Sequence, residues 1–209
     1  MDKQNKIMVV GIGPGNPDYI VPKGFKTIQA ARYLVGGKRA LAEFSHVGQD
    51  TCTITADIAG VMAFIRDRLQ QAEVVAMVSG DPGYYSLLDA LRREFAADQI
   101  EVIPGISSMQ YAFARLALPW HDATLVSFHG REPQPEDIEY KPGKILGTLT
   151  DSTHNSHTIP QILMAKGWPA TAKLYICSRL SYPDEKICTT TMQEAIHQPV
   201  VTHGIIIVT

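Results

Sequence analysis

The chain has 209 residues, with 19 Lys plus Arg against 21 Asp plus Glu, 45% hydrophobic residues, 16 Gly, 13 Pro and 3 Cys. That length buries a substantial core, and a formal charge of -2 excludes a protein that wraps nucleic acid through bulk electrostatics. Cys52, Cys177 and Cys188 are far apart, odd in number and form no CxxC pair, so neither a zinc ribbon nor a secreted disulfide framework is indicated and a reducing cytoplasm is expected. The polar start MDKQNK runs into Ile7-Met8-Val9-Val10, too brief for a signal core or a membrane span.

Short apolar runs alternate with helical patterns through the first part, which reads as α/β with a largely parallel sheet. Ile7 to Ile12 is the first expected strand, followed by Arg32 to Val35, Val74 to Ser79 and Glu101 to Ile103, each closed by Gly or Pro. A helix is predicted from Asp57, with Ile58, Val61, Met62, Ile65 and Leu69 on one stripe. A second follows Gly83, with Tyr84, Leu87, Leu88, Leu91 and Phe95 inward. A third follows Ser107, carries Tyr111, Ala114 and Leu118, and is expected to stop at Pro119.

From Trp120 the texture changes. Thr124 to Phe128, Lys173 to Cys177, Lys186 to Thr191 and Gly204 to Val208 read as strands. Thr158 to Lys166 reads as a helix with Thr158 as N-cap, Pro160 in its first turn and Gly167 just past its end. The expected domains are therefore 1–118, mostly parallel, and 119–209, mixed and richer in strands.

The first strand enters Gly11-Ile12-Gly13-Pro14-Gly15-Asn16-Pro17. A dinucleotide fingerprint needs a glycine where Asn16 stands, free N–H groups where Pro14 and Pro17 remove them, and a carboxylate further on that Tyr33 to Lys38 lacks. No GK[ST] follows, so a P-loop is excluded too. A tight turn and a loop that admits a ligand close to the backbone both remain open. The next strands end in Ser79-Gly80-Asp81-Pro82-Gly83-Tyr84 and Pro104-Gly105-Ile106-Ser107-Ser108. Asp81 alone reads equally as a turn and helix cap. Three Gly/Pro loops at the carboxyl ends of parallel strands, where ligands of open α/β sheets bind, favour a binding site.

GIGPGNP, VSGDPGYYS, VIPGISSMQ and LTDSTHNSHTIPQIL, in that order, resemble the tetrapyrrole methylase family over essentially the whole chain. The resemblance implies two α/β domains with an S-adenosylmethionine cleft between them, and usually a homodimer. VIPGISSMQYAFARLALPW followed by VSFHGR looks most like the members that methylate a corrin precursor of vitamin B12 at the C5 bridge position. Carried across residue by residue, the cofactor contacts fall on Pro14, Ser79, Gly80, Asp81, Tyr84, Ser107 and Ser108, and near Leu149 and Leu180. Ser79 departs from the Gly that many relatives carry, which is tolerable if only backbone touches the ligand. Another precorrin, a non-tetrapyrrole acceptor, or a module that binds without transferring a methyl group stays open as an alternative.

Methyl transfer from a sulfonium asks mainly for alignment and exclusion of water, which accords with the lack of a nucleophile constellation. The substrate implied by the resemblance is a small tetrapyrrole rich in carboxylates, so Arg, Lys or His is expected around it. His129 and Arg131 of His129-Gly130-Arg131 lead, with His121, Arg115 and Arg179 behind them. Arg131 reads alternatively as a solvated residue beside Glu132, and Arg115 as half of a helix-face ion pair. His154-x-x-His157 lacks a third ligand at metal spacing, so no protein-bound metal is expected, and the resemblance implies that His154 is a polar lining residue. Some relatives fuse a decarboxylating methyltransferase; 209 residues leave no room for it, so a separate protein is expected to supply that activity.

Overall fold

A computed structural model describes residues 4–209, and the chain divides into two compact units, one ending at Ser107 and the other spanning Ser108–Thr209. In chain order the first unit holds β1 (Ile7–Gly11), α1 (Pro22–Ala30), β2 (Tyr33–Gly36), α2 (Lys38–Phe44), β3 (Asp50–Thr53), α3 (Ile58–Arg68), β4 (Val74–Val78), α4 (Leu88–Glu94) and β5 (Ile100–Ile103). The second holds α5 (Ser108–Arg115), β6 (Thr124–Ser127), α6 (Pro135–Ile138), β7 (Leu146–Leu149), α7 (Thr158–Ala165), β8 (Lys173–Ser178), β9 (Lys186–Thr191) and β10 (Gly204–Val208).

The first sheet is parallel throughout, in the order β3-β2-β4-β1-β5. Because side chains alternate along a strand, Ile7 and Val9 of β1 join one core with Val61, Met62 and Ile65 of α3, while Met8 and Val10 join a second core with Ile28 of α1 and Leu41 of α2. Helices on both faces explain why β1, β2 and β4 are buried along their whole length. Asp57 caps α3 by accepting from the Gly60 N–H at 2.9 Å, and Arg66 and Arg68 occupy its last turn, where cations suit the helix dipole. The strand β3 is an addition to the sequence reading. Its residues DTCT are polar and largely exposed at the sheet edge, so they carry no apolar signal.

The second sheet is mixed, in the order β6-β7-β10-β8-β9, with β6 parallel to β7 and every other pair antiparallel. One face buries Ile159 and Leu163 of α7 with Trp168, Leu146, Ile206 and Val208. The helix α5 belongs to this unit, so the division falls before it and not at the expected Leu118–Pro119. A Cβ at Gly147 of β7 would stand 2.7 Å from Met109 Sδ and 3.1 Å from Phe113 Cε2, which shows how tightly α5 seats on that strand.

Two helix details depart from expectation. The buried residues of α5 are Met109, Ala112 and Phe113. The helix ends before Pro119 can act: Ala117 takes φ 52°, with Leu118 N–H bonded to the Phe113 carbonyl at 3.0 Å and Ala117 N–H to Ala114 at 3.1 Å. Thr158 is the first residue of α7 and not its cap. Asn155 accepts from the N–H groups of His157 and Thr158 at 2.9 and 3.2 Å, and the Thr158 hydroxyl accepts from Asn155 N–H at 2.9 Å.

Candidate functional site

The order of the first sheet places β4, β1 and β5 side by side, so the three glycine loops emerge next to one another at the strands' carboxyl ends. They are also joined. Gly80 N–H donates to the Gly13 carbonyl at 2.8 Å and Gly13 N–H to the Gly80 carbonyl at 3.3 Å, linking the loops after β1 and β4. Asp81 links the second and third: Oδ1 accepts from Gly83 N–H at 2.8 Å and Oδ2 from Gly105 N–H at 3.0 Å. A Cβ at Gly11 would lie 2.6 Å from the Gly80 oxygen and 2.7 Å from Gly105 N, so glycine is required there by contact between backbones. Gly80 is buried with φ 72°, a left-handed conformation that glycine adopts without strain.

Asp81 is thus committed to loop N–H groups. Ser79 is exposed at the end of β4, Pro14 is half-buried, and Ser107 is buried. Burial pushes the Tyr84 phenol far up, which keeps it neutral, and its ring meets Tyr85 edge-on at 4.8 Å. None of the three loops contains Lys or Arg. A wall of backbone groups and neutral side chains around one already-bonded carboxylate suits a zwitterion bearing a sulfonium, and does not suit a phosphate.

In the second unit, strand directions bring several predicted residues to one end of the sheet. β6 and β7 finish there, β10 begins there and β8 finishes there, with Ser127 paired to Leu149 and Gly204 to Ser178. His129, Leu149, Arg179 and Leu180 therefore stand at the same sheet end. Sequence reasoning missed the side chain that organises it. Asp151 Oδ2 accepts from Gly130 N–H at 2.9 Å, while Oδ1 accepts from Thr153 and His154 N–H at 2.8 and 2.6 Å. These bonds, Gly130 and His154 foremost, hold its carboxyl well below the usual carboxylate range. The signal was available: Asp-Ser-Thr-His is the composition of a turn in which aspartate bonds the backbone two and three residues on.

The remaining candidates divide. His129 Nδ1 lies 3.0 Å from the Thr150 carbonyl, and Arg131 is exposed just beyond Gly130, whose φ of 65° turns the chain. Arg115 donates through Nε to Glu185 at 2.6 Å, and Glu185 also accepts from Ser181 N–H at 2.7 Å, so this arginine braces the loop that carries buried Leu180. Arg179 donates to both oxygens of Asp184 at 3.2 and 3.0 Å and stacks 4.4 Å from the Tyr182 ring centre. His121 contacts Asp122 at 2.9 Å ahead of β6, at the opposite end of the sheet from His129. His154 and His157 do not converge: His154 Nδ1 is 3.5 Å from Asp151 Oδ1, and His157 Nε2 donates to the Gln198 carbonyl at 2.8 Å. Among the described residues no three His, Cys, Asp or Glu side chains gather as metal ligands.

The sequence profile of the tetrapyrrole (corrin/porphyrin) methylases matches residues 6–196. The chain belongs to this family. It is accordingly an S-adenosylmethionine-dependent methyltransferase, and the reading as a module that only binds is set aside. It is similar to the cobalt-precorrin-7 C(5)-methyltransferase of Salmonella typhimurium, with 33% identity over 161 residues, 77% of this chain and 79% of that one. Among solved structures it is similar to the methyltransferase CobJ, with a TM-score of 0.82 and 19% identity over 98% of this chain and 93% of that one. It is also similar to uroporphyrin-III C-methyl transferase from Thermus thermophilus complexed with S-adenyl homocysteine, with a TM-score of 0.75 and 20% identity over 98% of this chain and 92% of that one.

Proposed function

We propose that the chain methylates C5 of cobalt-precorrin-7 in cobalamin biosynthesis. The observation that carries this reading is the 33% identity to the Salmonella enzyme across most of both chains. When bound, S-adenosylmethionine supplies a methyl group already activated by the positive charge on sulfur. Backbone of the joined loops at Pro14, Ser79, Gly80, Ser107 and Ser108 would hold it, with Tyr84 as a neutral wall and Asp81 keeping the loops in register. Rigid loops place the donor without reorganisation at the moment of transfer, and alignment of this kind is worth several kcal/mol, up to roughly 7–11 in favourable model reactions.

The substrate's carboxylates call for cations at the exposed sheet end of the second unit. Arg131 serves this role, because guanidinium grips a carboxylate through two parallel hydrogen bonds that lysine cannot copy. Arg131→Ala raises the substrate KM and leaves calorimetric affinity for S-adenosylhomocysteine near wild type; an equal fall in both rejects the assignment. The protein works in the cytoplasm as a homodimer, and no described helix is long and apolar enough to cross a membrane. The substrate is tested by offering a panel of precorrin and cobalt-precorrin intermediates and weighing the products. A gain of one methyl group confined to cobalt-precorrin-7 supports the reading, and methylation of a different intermediate alone replaces it.

A further inference from the structure

We propose that His129 is the proton acceptor of the reaction, receiving at Nε2 the proton that the bridge carbon releases as it is methylated. This inference rests on the reading of the chain as a C5 methyltransferase. An unsubstituted bridge carbon carries one hydrogen, and exchanging it for methyl requires that a proton leave. The new C–C bond forms as the donor's methyl–sulfur bond breaks, with that electron pair staying on sulfur. The C–H bond then breaks, its pair returns to the conjugated ring, and the proton passes to neutral imidazole, which becomes imidazolium.

The geometry selects His129 for this task. Its Nδ1 lies 3.0 Å from the Thr150 carbonyl oxygen, which has no proton to give, so Nδ1 carries the hydrogen and the lone pair of the neutral ring sits on Nε2. The carbonyl is itself fixed. Thr150 is buried, its hydroxyl accepts from Gly204 N–H at 2.8 Å and reaches the Thr202 carbonyl at 3.1 Å, and its own N–H donates to the Gly204 carbonyl at 3.2 Å. The backbone of His129 is held on both sides, by Ser127 Oγ at 3.1 Å and through Gly130 N–H by Asp151 at 2.9 Å. The residue nevertheless stays exposed at the sheet end.

The charged and titratable groups around it are His203, whose ring lies edge-on at 6.2 Å, Asp151 behind Gly130, and Arg131 next in the chain. The neighbouring histidines are less suited. His154 Nδ1 is buried without a hydrogen-bond partner, His157 Nε2 is spent on Gln198, and His203 Nδ1 pairs with Thr202 Oγ1 at 3.1 Å.

The test uses the full chain with His129→Gln and His129→Ala. Single-turnover methylation of cobalt-precorrin-7 should slow by roughly 10²–10⁴-fold, the range for loss of a positioned base, while substrate KM and S-adenosylhomocysteine affinity stay near wild type. The acid limb of the wild-type pH–rate profile should vanish in both variants, and added imidazole should restore part of the rate to His129→Ala. Nitrogen-15 NMR of the wild-type imidazole should show the Nδ1–H tautomer without any substrate. A retained acid limb and rate, a change confined to KM, or an Nε2–H tautomer overturns the proposal. Wild-type protein that leaves cobalt-precorrin-7 unchanged overturns the substrate reading instead, and the tautomer measurement still decides whether His129 is poised as a base.

Discussion

Asp81 accepts the Gly105 N–H at 3.0 Å with one carboxylate oxygen and the Gly83 N–H at 2.8 Å with the other, so a single side chain fastens the loop after β4 to the loop after β5. The second unit repeats the device with Asp151, which fastens the Gly130 loop to the turn at Thr153 and His154. In both places an aspartate in a loop holds backbone N–H groups of two segments.

Asp81→Asn tests that role. An amide keeps one acceptor oxygen where the carboxylate has two, so one loop N–H loses its partner. The expected cost is about 1–3 kcal/mol of stability by urea denaturation, with weaker S-adenosylhomocysteine binding by calorimetry. Unchanged stability with lost binding would instead make Asp81 a direct ligand contact.

The ends of α5 and α7 use one motif with different residues. At Gly167, φ is 89°, Trp168 N–H bonds Leu163 at 3.2 Å and Gly167 N–H bonds Met164 at 3.0 Å, matching the bonds at Ala117. Glycine takes this conformation freely, whereas Ala117 holds it at φ 52° under steric strain. Ala117→Gly should therefore stabilise the protein and Gly167→Ala destabilise it, each by about 1 kcal/mol, read from shifts in the urea midpoint. Equal signs for the two substitutions would contradict this account of the helix ends.

His46 makes stability depend on pH. Its Nε2 meets the Gln29 carbonyl and its Nδ1 the Val47 carbonyl, each at 3.0 Å, and only the protonated ring donates from both nitrogens. The Gln29 bond first, then Val47, raises its pKa above the ordinary 6.5. A raised folded-state value means the contribution is fully present below the unfolded pKa and lost as pH rises through the folded one. The urea midpoint should fall as pH climbs from below 6.5 through that raised value, and His46→Asn should flatten the slope. A midpoint that rises over the same interval in wild type only would reverse the assignment.

Much of this was legible from local pattern. The strands at β1, β4, β9 and β10 announce themselves as apolar or β-branched runs, and the glycine loops are visible as punctuation after them. What escaped depends on partners far along the chain. β7 is a short strand, LGTL, lying between β6 and β10, and its glycine is demanded by Met109 and Phe113. Helical spacing alone does not say which face of α5 is buried; the sheet it covers selects Met109, Ala112 and Phe113. The glycine loops could be singled out, but the bonds of Asp81 and Asp151 across two loops, and the pairing of Arg115 with Glu185, arise from tertiary closure alone.

The most direct test of the account is transfer from S-adenosylmethionine carrying a carbon-13 methyl group to cobalt-precorrin-7, with the product's labelled carbon located by NMR. The account predicts one new labelled methyl attached at C5, formed by the wild-type chain. Label at any other carbon, or label only on a different acceptor, would contradict it.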